Sequence, residues 1–176
     1  MYRKGHLGAA LLFAAPLMWL VGATTDNFFG AILLSLGAVC ATSVPDLDRY
    51  VPWIRHRGVT HTVLFALIVS SGGAIALTVT LWQLGGSFIS VLITPQQLFV
   101  CLGFGILAGL VSHLCIDALA VRHTSRVIRP LWPVSSRPIR LRLTQADSQV
   151  SNAGLLIGGM VAQLAHFLWL VPTGIT

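Results

Sequence analysis

Charged side chains are scarce in this sequence, and one acidic residue type is missing altogether. Charged residues make up 9% of the 176 residues, glutamate is absent, and the acidic residues are five aspartates. A soluble domain usually carries about 25% charged residues, whereas 55% of this chain is hydrophobic and its mean hydropathy is +0.83. These values exclude an ordinary water-soluble globule and predict a polytopic membrane protein.

Cysteine is also rare, which limits the role of disulfides. The three cysteines, Cys40, Cys101 and Cys115, lie in apolar runs without a Cys-x-x-Cys spacing. This pattern excludes a disulfide framework and predicts small buried hydrophobic side chains.

Five apolar segments indicate the architecture. A helical span needs about 20 apolar residues, so the chain has room for about five spans and for no large soluble domain. We therefore predict an all-α membrane helix bundle in which residues 1–176 form a single integral membrane domain. The first segment is expected to be a retained span rather than a cleaved signal peptide. The apolar segments cover residues 7–23, 28–44, 62–82, 97–121 and 152–171, and the connections cover 24–27, 45–61, 83–96 and 122–151.

The basic residues predict the orientation of these spans. Eleven Lys and Arg give a net charge of +6, and all of them fall at the N-terminus or in the second and fourth connections. Because basic residues favour the cytoplasmic side, we predict a cytoplasmic N-terminus and a C-terminus on the opposite side. The positive surplus suits anionic lipid rather than nucleic acid. The basic residues are Arg3 and Lys4, then Arg49, Arg55 and Arg57, and finally Arg122, Arg126, Arg129, Arg137, Arg140 and Arg142.

Carboxylate and imidazole side chains crowd the second connection. Pro45 ends the second span, Asp46 and Asp48 follow at its exit, and His56 and His61 precede the third span. Imidazole and carboxylate together form a ligand set for zinc, manganese or iron. Taken alone, either half also suits a solvated loop with a helix cap.

The fourth apolar segment carries an ionisable pair. His113 and Asp117 are four residues apart and so share one helix face, from which Cys115 points away. Gly105 and Gly109 precede them at the same spacing, which predicts a ridge of small residues where a neighbouring helix packs closely. In isolation, the pair suits a buried hydrogen-bonded contact better than it suits metal ligands.

All of these polar groups are predicted to meet at one membrane face. Ionisable groups within spans are costly and tend to be functional, and three clustered aspartates would repel one another without a cation. We predict one or two divalent metal ions, with zinc preferred and manganese or iron as alternatives; around a single ion, the remaining carboxylates would orient the imidazoles. The candidate ligands are His6, Asp46, Asp48, His56, His61, His113 and Asp117.

Five short motifs lie in order along residues 5–143: Gly5-His6-Leu7, Pro45-Asp46-Leu47-Asp48, His56-Arg57-Gly58-Val59-Thr60-His61, Ser112-His113-(x)3-Asp117 and Pro130-Leu131-Trp132-Pro133. Together they resemble the motifs of the YdjM-like family of inner-membrane metal-dependent hydrolases, also described as LexA-regulated. The resemblance implies a multi-span hydrolase of the inner membrane and leaves the substrate open. The family pattern has Thr and Gly after the aspartate of the fourth span, whereas here Asp117 is followed by Ala118 and Leu119. The edge of the site is therefore expected to differ from the family pattern, and His123, six residues after Asp117, is either an extra ligand or a bystander.

The chemistry expected of this site is hydrolysis by a metal-activated water. Asp48 is the candidate base, and Arg57 is the candidate group for holding a phosphate or a developing anion. The His-(x)3-Asp element is also similar to that of zinc phospholipases C and related zinc nucleases, which favours phosphoester chemistry. A site at headgroup depth predicts a phospholipid or lipid-linked phosphoester as substrate, with membrane lipids around the arginine-rich fourth connection.

Two non-catalytic functions could use the same residues. A metal-stabilised membrane scaffold needs only a structural ion, and a metal transporter would use the ligands as a transit site. A transporter should also carry polar groups in the outer half of the membrane, where the first four spans have few. His166 lies about 21 Å along the fifth span at helical rise, too deep for the cytoplasmic site, and is predicted to be a packing side chain.

Overall fold

The computed structural model describes residues 2–25, 27–54, 56–121, 127–139, 141 and 143–173. Within these ranges, five helices are long and apolar enough to cross a membrane, the second of them counted together with the short helix that follows it. The predicted all-α membrane bundle is confirmed. The long helices are α1 (Arg3–Thr25), α2 (Phe28–Ala41), α3 (Val63–Leu92), α4 (Pro95–Leu119) and α5 (Gln149–Thr173), with short 3-10 helices at Pro45–Tyr50 and Val59–His61.

Polar side chains fix where α3 and α4 begin. The Thr62 side chain accepts a hydrogen bond from the backbone N–H of Phe65, and Thr94 and Gln97 cap each other's backbone at the start of α4. Such caps satisfy N–H groups that have no partner within the helix. Pro45 opens the 3-10 helix after α2, and the α-helical part of the second segment ends at Ala41 rather than near residue 44.

The predicted connection at residues 83–96 is wrong for most of its length. Helix α3 continues to Leu92, and only Ile93 and Thr94 separate it from α4. Gly85 has non-helical angles, φ −141° and ψ 24°, so the glycine pair Gly85–Gly86 bends the helix without ending it. A glycine lowers the stability of a helix by about 1 kcal/mol relative to alanine. The apolar residues that follow can offset this loss, because they extend the membrane-spanning helix.

Helix α4 lies at the centre of the bundle and contacts α1, α2 and α3, whereas α5 packs mainly on α1. A Cβ atom added to Gly105 would overlap the carbonyl oxygen of Leu34, and one added to Gly109 would overlap that of Ala38. The predicted ridge of small residues is therefore confirmed, and it brings α2 and α4 into backbone contact. This contact places His113, one turn beyond Gly109, beside the end of α2.

The connections at one end of the bundle are tied together by hydrogen bonds. The Tyr2 N–H donates to the side chain of Asn152 at the start of α5, and the Val63 N–H donates to the carbonyl of Pro130. A two-residue parallel pair joins β1 (Ala120–Val121) to β2 (Thr144–Gln145). The N-terminus and the second and fourth connections therefore share one end, as the distribution of basic residues requires; the membrane side that this end faces stays a prediction.

Candidate metal centre

Residues from four segments meet at this end of the bundle. His6 lies in the first turn of α1, Asp46 in the 3-10 helix after α2, His61 just before α3, and His113 and Asp117 on α4. All are buried except Asp46, which is half-buried. Three overlapping groups of side chains have ligand atoms within 4.8 Å of one another and could hold a metal ion: His6 with His113 and Asp117, Asp46 with His61 and His113, and Asp48 with His56 and His61.

Two imidazole nitrogens and two carboxylate oxygens lie close together at the centre of the cluster. They are His61 Nε2, His113 Nε2, Asp46 Oδ1 and Asp117 Oδ2. The two imidazole nitrogens are 3.3 Å apart. His61 Nε2 lies 3.7 Å from each carboxylate oxygen, and His113 Nε2 lies 3.9 Å from each. Ligands of a tetrahedral zinc ion at 2.0–2.1 Å lie about 3.3 Å from one another. The two nitrogens already have this separation, and each carboxylate oxygen would have to move closer to them to share an ion.

His6 adds a possible fifth ligand. Its Nε2 lies 3.9 Å from Asp117 Oδ1, and its ring stacks on that of His113 with centroids 4.3 Å apart and planes 15° apart. The buried Nδ1 of His6 has no hydrogen-bond partner among the residues that the structure describes. The first span therefore contributes to the same cluster as the fourth, as the sequence predicts.

A backbone carbonyl orients His113. The Nδ1 atom of His113 lies 2.7 Å from the carbonyl oxygen of Thr42, at the end of α2. Because a carbonyl can only accept, Nδ1 carries the proton and Nε2 presents its lone pair to the centre. Metal-binding histidines commonly have this support on their second nitrogen.

Asp48 is buried near His61 Nδ1, whereas Asp46 and Asp117 lie near His61 Nε2. Hydrogen-bond donors surround Asp48. Its Oδ1 lies 2.7 Å from His56 Nδ1. Its Oδ2 accepts hydrogen bonds from the Arg57 backbone N–H at 3.1 Å and from the Thr60 hydroxyl at 2.6 Å. Thr60 Oγ1 is also 3.0 Å from His61 Nδ1. The carboxylate of Asp48 thus holds the loop that carries three of the predicted site residues.

Arg57 links two of the predicted carboxylates. Its backbone N–H donates to Asp48, and its Nη2 donates to Asp117 Oδ2 at 2.9 Å. The side chain is only 7% exposed, so the guanidinium lies at the edge of the cluster rather than in solvent. Arg57 has φ of 63°, a left-handed conformation that is uncommon for residues other than glycine, asparagine and aspartate.

The cluster contains more buried negative charge than positive charge. The buried Asp48 and Asp117 and the half-buried Asp46 face a single buried guanidinium, that of Arg57, among the described residues. Arg49 pairs with Asp46 at 3.0 Å, but its side chain is 45% exposed. Uncompensated carboxylates are costly in a medium of low dielectric constant. A divalent cation would offset this imbalance.

Exposed aromatic side chains lie in the connection that carries Asp48 and His56. Tyr50 is 83% exposed and Trp53 is 87% exposed. Trp132, in the fourth connection, is 41% exposed. Tyrosine and tryptophan are enriched where a membrane meets water, so this end of the bundle has the composition of a headgroup-level surface.

All seven predicted ligands lie in or beside this cluster, and their individual roles stay predictions. Sequence reasoning missed Thr60 and the carbonyl of Thr42, which support the two central histidines. The position of Thr60 between His56 and His61, in the third of the five motifs, is the signal that could have identified it. His123 lies outside the described residues. His166 is buried on α5 near the ring of Trp169 and belongs to none of the three groups.

Comparisons with known proteins identify the family. No curated protein and no solved structure matches this chain. The model of a family described as YdjM inner membrane protein matches residues 1–174 of the 176. The chain therefore belongs to the YdjM family and is an inner membrane protein, in agreement with its five helices of spanning length.

Proposed function

We propose that this chain is a membrane-embedded metal-dependent hydrolase that acts on a phosphoester of a lipid or lipid-linked substrate at the cytoplasmic membrane face. The observation that carries the proposal is that two imidazole nitrogens and two carboxylate oxygens from three parts of the chain converge, with nitrogen–nitrogen and nitrogen–oxygen distances of 3.3 to 3.9 Å. Buried, mixed His and Asp ligands of this kind are typical of catalytic rather than purely structural zinc sites, which are usually rich in cysteine.

The donor set favours zinc, with manganese or iron as alternatives. Imidazole suits zinc and iron, and carboxylate suits manganese as well. A second ion in the group of Asp48, His56 and His61 would need the Nδ1 atom of His61, which lies 3.5 Å from Asp48 Oδ2. The Nε2 atom of the same ring faces the centre, so a single ion is the simpler occupancy.

A bound zinc ion would supply Lewis acidity and an activated water; the chain's own residues do the rest. Arg57 is the candidate for holding an anionic oxygen of the substrate, because its guanidinium contacts Asp117, a candidate ligand. A guanidinium has five N–H donors, so it can contact Asp117 and a substrate oxygen at the same time. Asp48 was predicted to be the base, but its two oxygens accept bonds from His56, Thr60 and the Arg57 amide. We propose that it acts through the half-buried His56, whose Nδ1 it holds.

The surroundings of the site favour a substrate in the membrane. Tyr50 and Trp53 are the most exposed aromatic side chains of the connection between Asp48 and His56. A surface of this kind lies at headgroup level in a bilayer. Phosphate groups of lipids or lipid-linked compounds lie at the same depth, which supports a phosphoester as the scissile group.

The proposal is tested by metal analysis and a substrate screen on the full chain in lipid nanodiscs. We expect about one equivalent of zinc, in line with a single four-ligand centre, and chelator-sensitive release of phosphate or headgroup from phospholipid or polyprenyl-phosphate vesicles. His61→Ala and His113→Ala should each lose metal and turnover. His166→Ala removes a buried histidine outside the cluster and should keep both.

The outcomes separate a hydrolase from a metal-stabilised scaffold. If the two cluster variants lose metal but the wild-type chain hydrolyses no phosphoester, the scaffold is favoured. The origin of the candidate ligands in four segments also supports a scaffold. A wild-type chain that neither retains metal nor gains it when zinc is added would refute both functions.

A further inference from the structure

We infer that Thr60 is a positioning residue: its hydroxyl links Asp48 to His61 and fixes which nitrogen of His61 faces the metal. This inference rests on the proposed metal centre. It assigns a role to a residue that lies next to a candidate ligand and contributes none of the central ligand atoms.

The two hydrogen bonds of Thr60 have only one arrangement. The hydroxyl has one hydrogen, and an ionised carboxylate can only accept, so Thr60 donates to Asp48 Oδ2 across 2.6 Å. Its lone pairs then accept from the Nδ1–H of His61 across 3.0 Å. His61 is thereby held with its proton on Nδ1 and with the Nε2 lone pair free for the centre.

Asp48 is a fixed anchor for this arrangement. It is 3% exposed, His56 Nδ1 holds its other oxygen, and the Arg57 amide holds the same oxygen as Thr60. The direct separation between Asp48 Oδ2 and His61 Nδ1 is 3.5 Å, which is too long for a good hydrogen bond. The hydroxyl therefore bridges a gap that the carboxylate cannot close by itself.

The two central histidines are supported in different ways. His113 donates to a backbone carbonyl, that of Thr42, and no side-chain substitution removes that acceptor. His61 depends on a side chain, so its support can be deleted by mutation. Loss of such support typically lowers metal affinity about 10- to 100-fold.

The experiment measures zinc affinity of the full chain in nanodiscs by chelator competition. Thr60→Val keeps the shape of the side chain but cannot donate or accept, and we expect zinc to bind about 10- to 100-fold more weakly. Thr60→Ser keeps the hydroxyl and should restore most of the affinity. A purely packing role for Thr60 would give the opposite order, because valine replaces the lost volume and serine does not.

Thr62→Val is the matched control, two residues along the same loop. Thr62 is also buried, but its hydroxyl donates to the Val59 carbonyl and accepts from the Phe65 N–H at the start of α3. The control should lower the melting temperature through loss of a helix cap and leave zinc affinity near that of the wild type. If both variants weaken zinc equally, the effect follows loop stability and the inference is wrong.

A double-mutant cycle tests the link to Asp48. If Thr60 acts by connecting Asp48 to His61, Thr60→Val should weaken zinc much less in an Asp48→Ala background than in the wild type, because contacting residues in one network are not additive. Additive losses would overturn the link. A wild-type chain without zinc affinity would instead refute the proposed function, whereas zinc-binding wild type with an unaffected Thr60→Val variant would refute only this inference.

Discussion

Arg57 has a backbone conformation that most residues avoid, and its contacts explain why it is tolerated. The left-handed region costs a residue with a Cβ atom roughly 1–2 kcal/mol, and the glycine that follows, Gly58, is not the one that adopts it. The conformation lets the Arg57 amide reach Asp48 while the guanidinium reaches Asp117. Local strain held by surrounding contacts in this way is common at functional sites.

Two substitutions of Arg57 separate its side chain from its backbone. Arg57→Ala should keep metal, since a guanidinium cannot ligate a cation, and should lower turnover about 10²- to 10³-fold through loss of a donor to developing charge. Arg57→Gly should lose the same turnover but melt at a higher temperature than Arg57→Ala, because glycine adopts positive φ without strain. The measurements are metal content, turnover and melting temperature in nanodiscs.

Loss of metal in both Arg57 variants would contradict the anion-binding role and make Arg57 a structural partner of Asp117. Equal melting temperatures would show that the left-handed conformation is not what limits stability at this position.

At the level of elements, the close approach of α2 to α4 sets the position of the candidate ligand His113. Gly109 lies one turn before His113, and its Cα faces the carbonyl of Ala38. Gly109→Val should separate the two helices, lower the melting temperature and reduce metal content, since overpacking commonly costs about 1–3 kcal/mol. Gly72→Val is the control, because a Cβ at Gly72 on α3 meets nothing within 4 Å.

A Gly109→Val variant with unchanged metal content would show that α4 can shift without moving His113. A Gly72→Val variant that is equally destabilised would show that glycine loss harms these helices through something other than helix contact.

Helix positions followed from the sequence better than helix ends did. Apolar runs located all five spans, and the four-residue spacing placed His113 and Asp117 on one face, because both depend on local periodicity. The end of α3 was missed because Gly85 and Gly86 resemble a break, whereas the apolar residues after them extend the helix to Leu92. The support from the Thr42 carbonyl could not be predicted, because it depends on how α2 and α4 approach one another, whereas the position of Thr60 between His56 and His61 is a signal in the sequence.

For the whole molecule, the distribution of basic residues predicts which side of the membrane holds the site. In a chain with its three cysteines replaced, Gln96→Cys in α4's first turn should react with an impermeant maleimide from the periplasmic side. Ser136→Cys, in the fourth connection, should react only after the membrane is opened. Both positions are exposed, so access reports sidedness rather than burial. The reverse labelling pattern would overturn the predicted orientation.

Metal should also stabilise the bundle as a whole. Ligands from α1, from both ends of the second connection and from α4 would hold these segments together, and an ion present at 1,000 times its Kd adds about 4 kcal/mol to stability. Chelator should therefore lower the melting temperature, added zinc should restore it, and the His113→Ala variant should respond to neither. An unchanged melting temperature after complete metal removal would contradict this coupling.

The position of α5 has a consequence for biosynthesis. This helix lies against α1, where a Cβ at Gly8 would overlap the backbone of Leu155, and all seven predicted ligands precede residue 118. Domains synthesised from the N-terminus generally begin to fold before the chain is finished. All candidate ligands of the proposed metal centre are therefore synthesised before the last span, so α5 would dock onto helices that already carry them.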